Sequence, residues 1–247
     1  MEIIKTDLGV SIDVGGGEPL PIRHVIGIGL NYKPHAEEQG ATLPERPMVF
    51  TKNPAACTVS GAEIIVPEPC QHTGTGGGGE GRSRGQVDYE AELAVVIGKP
   101  AKDVDEADAL DVVLGYCCAN DVSARWWQKK GSGGQFCRGK SFDTFCPLGP
   151  ELIPGPRIGE PQSLGVRCRV NGETMQEGNT GEMIFPVTRL IAELSSGTTL
   201  LPGTVILTGT PSGVGFARTP PVFLQDGDRV EIEIDQLGTL SNPVRWA

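Results

Sequence analysis

A chain of 247 residues and 26.1 kDa can bury a substantial core as one large domain or two small ones. The formal charge of -10 and sequence pI near 4.8 repel phosphate backbones, and no Lys/Arg cluster offsets them, which disfavours nucleic acid as a partner. The start, MEIIKTDLGV, lacks the regions of a secretion signal, and no apolar run approaches the ~20 residues that a bilayer span needs. A soluble intracellular protein is therefore expected, cytoplasmic with a mitochondrial site left open, and with no membrane partner.

The 35 Gly, 20 Pro and many short Val/Ile/Leu runs favour strands and loops over long helices, and a single domain is preferred. Seven cysteines, an odd count with no C-x-x-C pair, suggest reduced structural thiols rather than a disulfide framework or a zinc knuckle.

In chain order, HVIGIGLNY (24–32) reads as a buried strand. It leads into KPHAEEQG, a short helix with Pro34 at its start and Gly40 as its stop. RPMVFTKN (46–53) and AEIIVP (62–67) read as strands, and TGTGGGGEGRSRGQ (73–86) as a low-complexity flexible loop. The strand QVDYEAELAVVIG (86–98) follows. DVDEADALDVVLGY (103–116) has apolar residues at helix-like spacing, and CCAND leads into VSARWWQKK, another short helix candidate. From residue 151 onward, GVRCRVNGET, GTVILTGTP and DRVEIEIDQLGTL read as antiparallel strands and hairpins, and MIFPVTRLIAELSSG (183–197) as the clearest helix.

On a strand, Asp88, Glu90 and Glu92 share one face at about 6.6 Å per step. That face continues through Ala94 and Val96. A wet face is the ordinary reading of an acidic strand. Against it, the continuation looks like a face entering an interior, where unpaired carboxylates are costly and a divalent cation would resolve the cost. Oxygen-only donors suit Mg²⁺, Mn²⁺ or Ca²⁺, and the lack of a nearby His/Cys set argues against zinc. Asp121, where an apolar strand ends, is equally a helix N-cap or a third ligand.

VDYEAELAVVIGK, GYCCANDVSAR, GKSFDTFCPLGP, RVNGETMQEGNTGEMIF and LTGTPSGVGFA, taken together and in order, resemble the fumarylacetoacetate hydrolase family from about His24 to Val244. The short single-domain members that act on acylpyruvates and oxaloacetate are the nearest match. The resemblance implies an α+β, mainly β fold, the mixed β-sandwich roll of that family's C-terminal domain. Residues 24–247 would be the catalytic domain and 1–23 a short N-terminal segment.

The same resemblance implies a homodimer acting on a small 2-oxo or dioxo acid, with Mg²⁺ or Mn²⁺ (Ca²⁺ in crystals) held by Glu90, Glu92 and Asp121. His35 and Glu38 look like the dyad that activates water on a short lid; by themselves they read as an exposed i, i+3 pair. Lys140 looks like the lysine near the reacting carbonyl, and Lys52 like a lysine beside the metal. Gln128, Asn179, Thr180 and Thr210 match positions that touch substrate or shape the pocket. His24 and His72 lack a comparable partner and are read as structural or solvated.

Such a site implies cleavage of the C3–C4 bond through an enolate. It would be hydrolysis where C4 is a ketone and decarboxylation where C4 is a carboxylate; the same groups can interconvert keto and enol forms. An anionic substrate needs added cations, a task for Lys52, Lys140 or Arg125.

Two rivals stand beside this reading. GQFCRGKS (134–141) fits G-x-x-x-x-G-K-[ST] and GTGGGG fits G-x-G-x-x-G, but no buried strand precedes the first and Pro147 closes off a long helix after it. A non-catalytic dimer that retains the fold is the other, and the presence of all the candidate ligands with His35 and Glu38 argues against it. Two departures from relatives bear on substrate. Trp126 stands where they commonly have Asp or Lys, altering the pocket wall or the helix packing. The glycine-rich stretch is longer than expected, and a gating role for it predicts altered kinetics when Gly74 to Gly81 are deleted.

Overall fold

A computed structural model describes residues 1–7, 9–71 and 86–247; the glycine-rich stretch apart from Gln86, and His72, fall outside the described residues. Its architecture is the expected one, α+β and mainly β, a mixed sandwich roll built from a ten-stranded sheet, a five-stranded sheet and a small two-stranded ribbon.

The strand Ala91–Ile97 organises the large sheet. It pairs antiparallel with Val113–Asn120, setting Glu92 opposite Ala119, and antiparallel with Thr204–Leu207 on its other side. All seven of its residues are buried. Period-2 alternation divides them between two cores: Leu93, Val95 and Ile97 pack toward the five-stranded sheet, while Ala94 and Val96 join Val25, Cys117, Cys146 and Val205 on the opposite face. The acidic face is thus the end of a buried face, and the wet alternative does not hold. Glu90, Glu92 and Asp88 are 6%, 1% and 0% exposed.

Several elements depart from expectation. The stretch 103–116 gives a 3-10 helix, Glu106–Val112, and then passes into the strand Val113–Asn120. The Val112-Val113-Leu114 run can pair with the already buried 91–97 strand, which outweighs helix-like spacing over two turns. Thr204–Leu207 runs parallel to His24–Gly29 instead of forming a hairpin. The later helix is shorter than expected, Val187–Ser195, because Pro186 occupies its N-cap and leaves Met183–Phe185 outside it. The remaining strands after residue 165 do form the antiparallel set Glu173–Asn179, Gly165–Val170, Arg229–Ile234 and Gly238–Trp246.

All seven cysteines are free thiols, and six of them are buried. Among the described residues no helix is long and apolar enough to cross a membrane.

Candidate active site

Six segments converge at the end of the buried acidic face. The strand His24–Gly29 leads through Asn31 into the helix Lys33–Glu38, which carries Pro34 in its first turn as expected. Asn31 anchors this entry: its amide donates to the carbonyls of Phe185 and Thr208 at 3.0 and 2.7 Å and accepts from Phe185 N–H at 2.8 Å. The helix therefore starts from a fixed point, with His35 facing inward at 4% exposure.

Glu90, Glu92 and Asp121 each offer an oxygen within 4.8 Å of the others, and all three are buried. Backbone pairing sets this geometry, since Asp121 N–H donates to the Glu90 carbonyl at 2.9 Å and the Asn120 side chain accepts from Glu90 N–H at 3.1 Å. Asp121 caps no helix: its carboxylate accepts from Lys52 and, at 2.6 Å, from Lys140. Lys140 also donates to Glu90 at 2.7 Å. Lys52 arrives on the strand Met48–Lys52, whose alternation turns Phe50 and Lys52 inward.

Lys140 ends the helix Phe136–Lys140, so the stretch resembling a phosphate loop is helical and sends its lysine to carboxylates. That helix docks through Gly139, where a Cβ would lie 2.6 Å from the Gln128 nitrogen and 2.8 Å from the Ala124 carbonyl.

Asp88 serves a different partner from its two strand neighbours. It accepts from Arg125 Nε at 2.6 Å and from Phe216 N–H at 2.7 Å. Arg125 completes its contacts with Glu90 at 2.8 Å and the Gln128 amide oxygen at 3.1 Å.

Four buried carboxylates thus face three buried cations. Glu92 has no cation partner among the described residues; it accepts from Gly209 N–H at 2.7 Å. Burial, with Asp121 and Glu90 beside it, pushes the Glu92 carboxyl well above its usual range. Burial acts the same way on Glu90, but Lys140 and Arg125 outweigh it and hold that carboxyl well below. For Lys140, burial opposes the charge while Asp121 and Glu90 raise its pKa above the ordinary value.

On the facing wall, His35 Nδ1 lies 3.0 Å from Glu38, and the other oxygen of Glu38 accepts from Gly213 N–H at 2.9 Å. With Nδ1–H donating to the carboxylate, Nε2 is the acceptor nitrogen, and the Gln39 amide meets it at 3.0 Å. Gly209 and Gly213 have φ of +95° and +98°, and a Cβ would lie 2.7 Å from Asn31 Cβ at the first and 2.2 Å from the Met175 carbonyl at the second. Glycine at these two positions lets the backbone donate to Glu92 and Glu38.

One cavity is lined by His35, Glu90, Glu92, Arg125, Gln128 and Lys140, with Thr210 also on its wall. Lys52 lies behind Asp121, outside this lining. The structure does not bring Asn179 and Thr180 to the cavity. Asn179 forms a capping box with Glu182 around the turn Thr180–Glu182, and the Thr180 hydroxyl accepts from Leu164 N–H at 2.9 Å. Trp126 does not line the cavity either. It packs edge-on against Trp127 at 5.0 Å, so its effect is on helix packing. Sequence reasoning missed Gln39, four residues after His35 on the same helix face, and Asp88 as the partner of Arg125.

The donor set is oxygen-only, buried, and one positive charge short, which fits a hard divalent cation. The family model described as fumarylacetoacetate (FAA) hydrolase C-terminal matches residues 24–245. Oxaloacetate tautomerase fahd2, mitochondrial, of Xenopus laevis is 49% identical over 220 residues, spanning 89% of this chain and 65% of that protein. The chain thus spans about two thirds of that relative's length. Oxaloacetate tautomerase YisK of Bacillus subtilis is 48% identical over 228 residues, covering 92% of this chain and 71% of the relative. Among solved structures, fumarylacetoacetate hydrolase (EaFAH) from psychrophilic Exiguobacterium antarcticum superposes with a TM-score of 0.78 at 39% identity, covering 92% of this chain and 76% of that one.

Proposed function

The chain belongs to the fumarylacetoacetate hydrolase family, and from that premise we propose that it interconverts the keto and enol forms of a small 2-oxo acid of the oxaloacetate type. The observation that carries this reading is that Glu90 and Glu92 of the candidate oxygen cage line the same cavity as His35, the histidine of the histidine–carboxylate dyad. The Xenopus and Bacillus relatives, both oxaloacetate tautomerases by name, support it.

Glu90, Glu92 and Asp121 would hold Mg²⁺ or Mn²⁺, which supplies a Lewis acid for the carboxylate and keto oxygens of the substrate. Lys140 now spans Glu90 and Asp121 and would relax part of that contact as the ion enters. Arg125, held by Asp88, and Gln128, bonded to Arg125, would orient the substrate carboxylate.

His35 Nε2 takes the C3 proton once Gln39 releases it. The C3–H electron pair becomes the C2–C3 double bond, the carbonyl pair moves to O2, and O2 takes up a proton. Glu38, hydrogen-bonded at Nδ1, stabilises the imidazolium that forms. The reverse sequence returns the keto form.

Cleavage of the C3–C4 bond is the second reading, supported by the same His35–Glu38 dyad, which would activate water against a C4 ketone, and by the similar Exiguobacterium protein being named a hydrolase. Oxaloacetate-type decarboxylation would need no water. The proposal is completed by residues 24–247 as the catalytic unit, a homodimer, and an intracellular location; the Xenopus relative is named mitochondrial.

The test supplies Mg²⁺ or Mn²⁺ and follows oxaloacetate, acetylpyruvate and fumarylpyruvate by enol absorbance and by proton NMR of products. Accelerated keto–enol relaxation without pyruvate supports the first reading. Metal-dependent pyruvate release supports the second, and metal-loaded protein that accelerates neither overturns both.

A further inference from the structure

The three buried cations around the carboxylate cluster, Lys52 outside the cavity lining and Lys140 and Arg125 within it, are already committed. Lys52 is paired with Asp121, Lys140 with Glu90 and Asp121, and Arg125 with Asp88 and Glu90. With a divalent ion added, this set carries about enough positive charge for one carboxylate and the adjoining oxo group. A substrate with a second carboxylate needs a further cation.

Lys129 lines the same cavity and, among the described residues, has no carboxylate partner. It lies in the π-helix Trp127–Gly131, next to the buried Gln128 that contacts Arg125. These consecutive residues of the π-turn both line the cavity but differ in burial, Gln128 buried and Lys129 exposed.

Lys129 is also held in position. Its ammonium sits 3.5 Å from the centroid of the Phe216 ring. Phe216 N–H donates to Asp88, the carboxylate that grips Arg125. One carboxylate therefore ties Arg125 to the ring that carries Lys129. The cavity wall also carries the apolar side chains Met48, Phe50 and Phe136, with Phe50 packed near Phe136 and beside Lys140. A neutral acyl tail would be served by those side chains, whereas among the described residues Lys129 is the one Lys or Arg on the wall that is not already in ion-pair contact with a carboxylate.

We propose that Lys129 is the specificity-determining residue for a distal carboxylate, making the site selective for 2-oxo dicarboxylic acids over neutral acylpyruvates. The inference rests on the reading that a chelating 2-oxo acid occupies the carboxylate cage. Burial and the nearby Arg125 charge lower the Lys129 pKa, which is the environment that a bound anion relieves.

The test uses the Mn²⁺-loaded full chain and two stable chelating probes, N-oxalylglycine with a distal carboxylate and N-methyloxamate without one, titrated calorimetrically. Lys129→Met is expected to weaken N-oxalylglycine at least about fivefold, the scale of a partly exposed charged hydrogen bond. N-methyloxamate should bind as before, Lys129→Arg should retain affinity, and Lys130→Met, at the neighbouring exposed lysine, should leave both probes unchanged. In kinetics the same variant should raise KM for oxaloacetate and leave kcat nearly intact. Equal effects on both probes, or none, overturn the assignment. If the wild type binds both probes but turns over no substrate, the reaction proposed above fails while the binding comparison still decides the role of Lys129.

Discussion

The Lys140 ammonium lies 2.6 Å from the Asp121 carboxylate with both side chains shut off from solvent, and it reaches Glu90 as well. Removing one partner of such a buried pair strands the other charge, at a cost of about 3–5 kcal/mol. Lys140→Met should therefore lower the thermal midpoint markedly in EDTA. Excess Mn²⁺ should recover part of the loss, because the ion compensates the same oxygens. Differential scanning calorimetry with and without metal checks this, and an equal loss in both conditions would contradict it.

Arg125 and Asp88 form another buried pair, 2.6 Å apart. Asp88→Asn should destabilise the fold by about 3 kcal/mol and weaken chelating-acid binding. It frees Arg125 to rotate off Gln128 and unpins Phe216. Urea unfolding measures the first effect, and an oxalate titration of the Mn²⁺ form the second.

His35→Ala and Glu38→Gln should reduce proton transfer at C3 of oxaloacetate by about 10²–10⁴-fold, the usual worth of a positioned general base. Metal affinity should stay at the wild-type value, since neither residue belongs to the oxygen cage. Deuterium incorporation at C3, followed by NMR in D₂O, reads this directly.

The docking of the short helix over the site should depend on pH through Glu38. Burial pushes its carboxyl up from the ordinary 4.5, but the His35 hydrogen bond and the Gly213 N–H outweigh burial and leave it lowered. A depressed native pKa means that the stabilisation is complete above the ordinary value and is lost as pH falls through the native one. Amide exchange at residues 33–39 and at Gly213, corrected for intrinsic rate, should show constant protection from neutrality to about pH 4.5 and loss below it. Glu38→Gln should abolish that transition.

The Glu90/Glu92 half of the candidate oxygen cage was legible because its signal is local, whereas Asp121 joined it only through family pattern. Two acids one residue apart, ahead of an aliphatic run, put carboxylates on a face whose continuation is apolar, and burial follows from the alternation. The His35–Glu38 pair was visible through family pattern, since its i, i+3 spacing alone is equally that of a surface turn. What stayed hidden depends on register between distant segments. The Asp88–Arg125 pair joins residues 37 apart, and the seating of Lys129 on Phe216 joins the π-turn to the distant 3-10 turn Gly215–Ala217. Asn179 and Thr180 matched substrate-contacting positions by pattern, yet the chain uses them to cap a turn. The helix expected over 103–116 failed for a related reason, as spacing along one segment says nothing about the partner strand waiting beside it.

The most direct test is a Mn²⁺ titration of the metal-stripped chain by calorimetry and electron paramagnetic resonance, comparing wild type with Glu92→Gln. One site per chain, weakened at least about tenfold in the variant, is the expected result, because Glu92 is the carboxylate left without a cation. Absence of binding, or equal affinity in both proteins, would contradict the account.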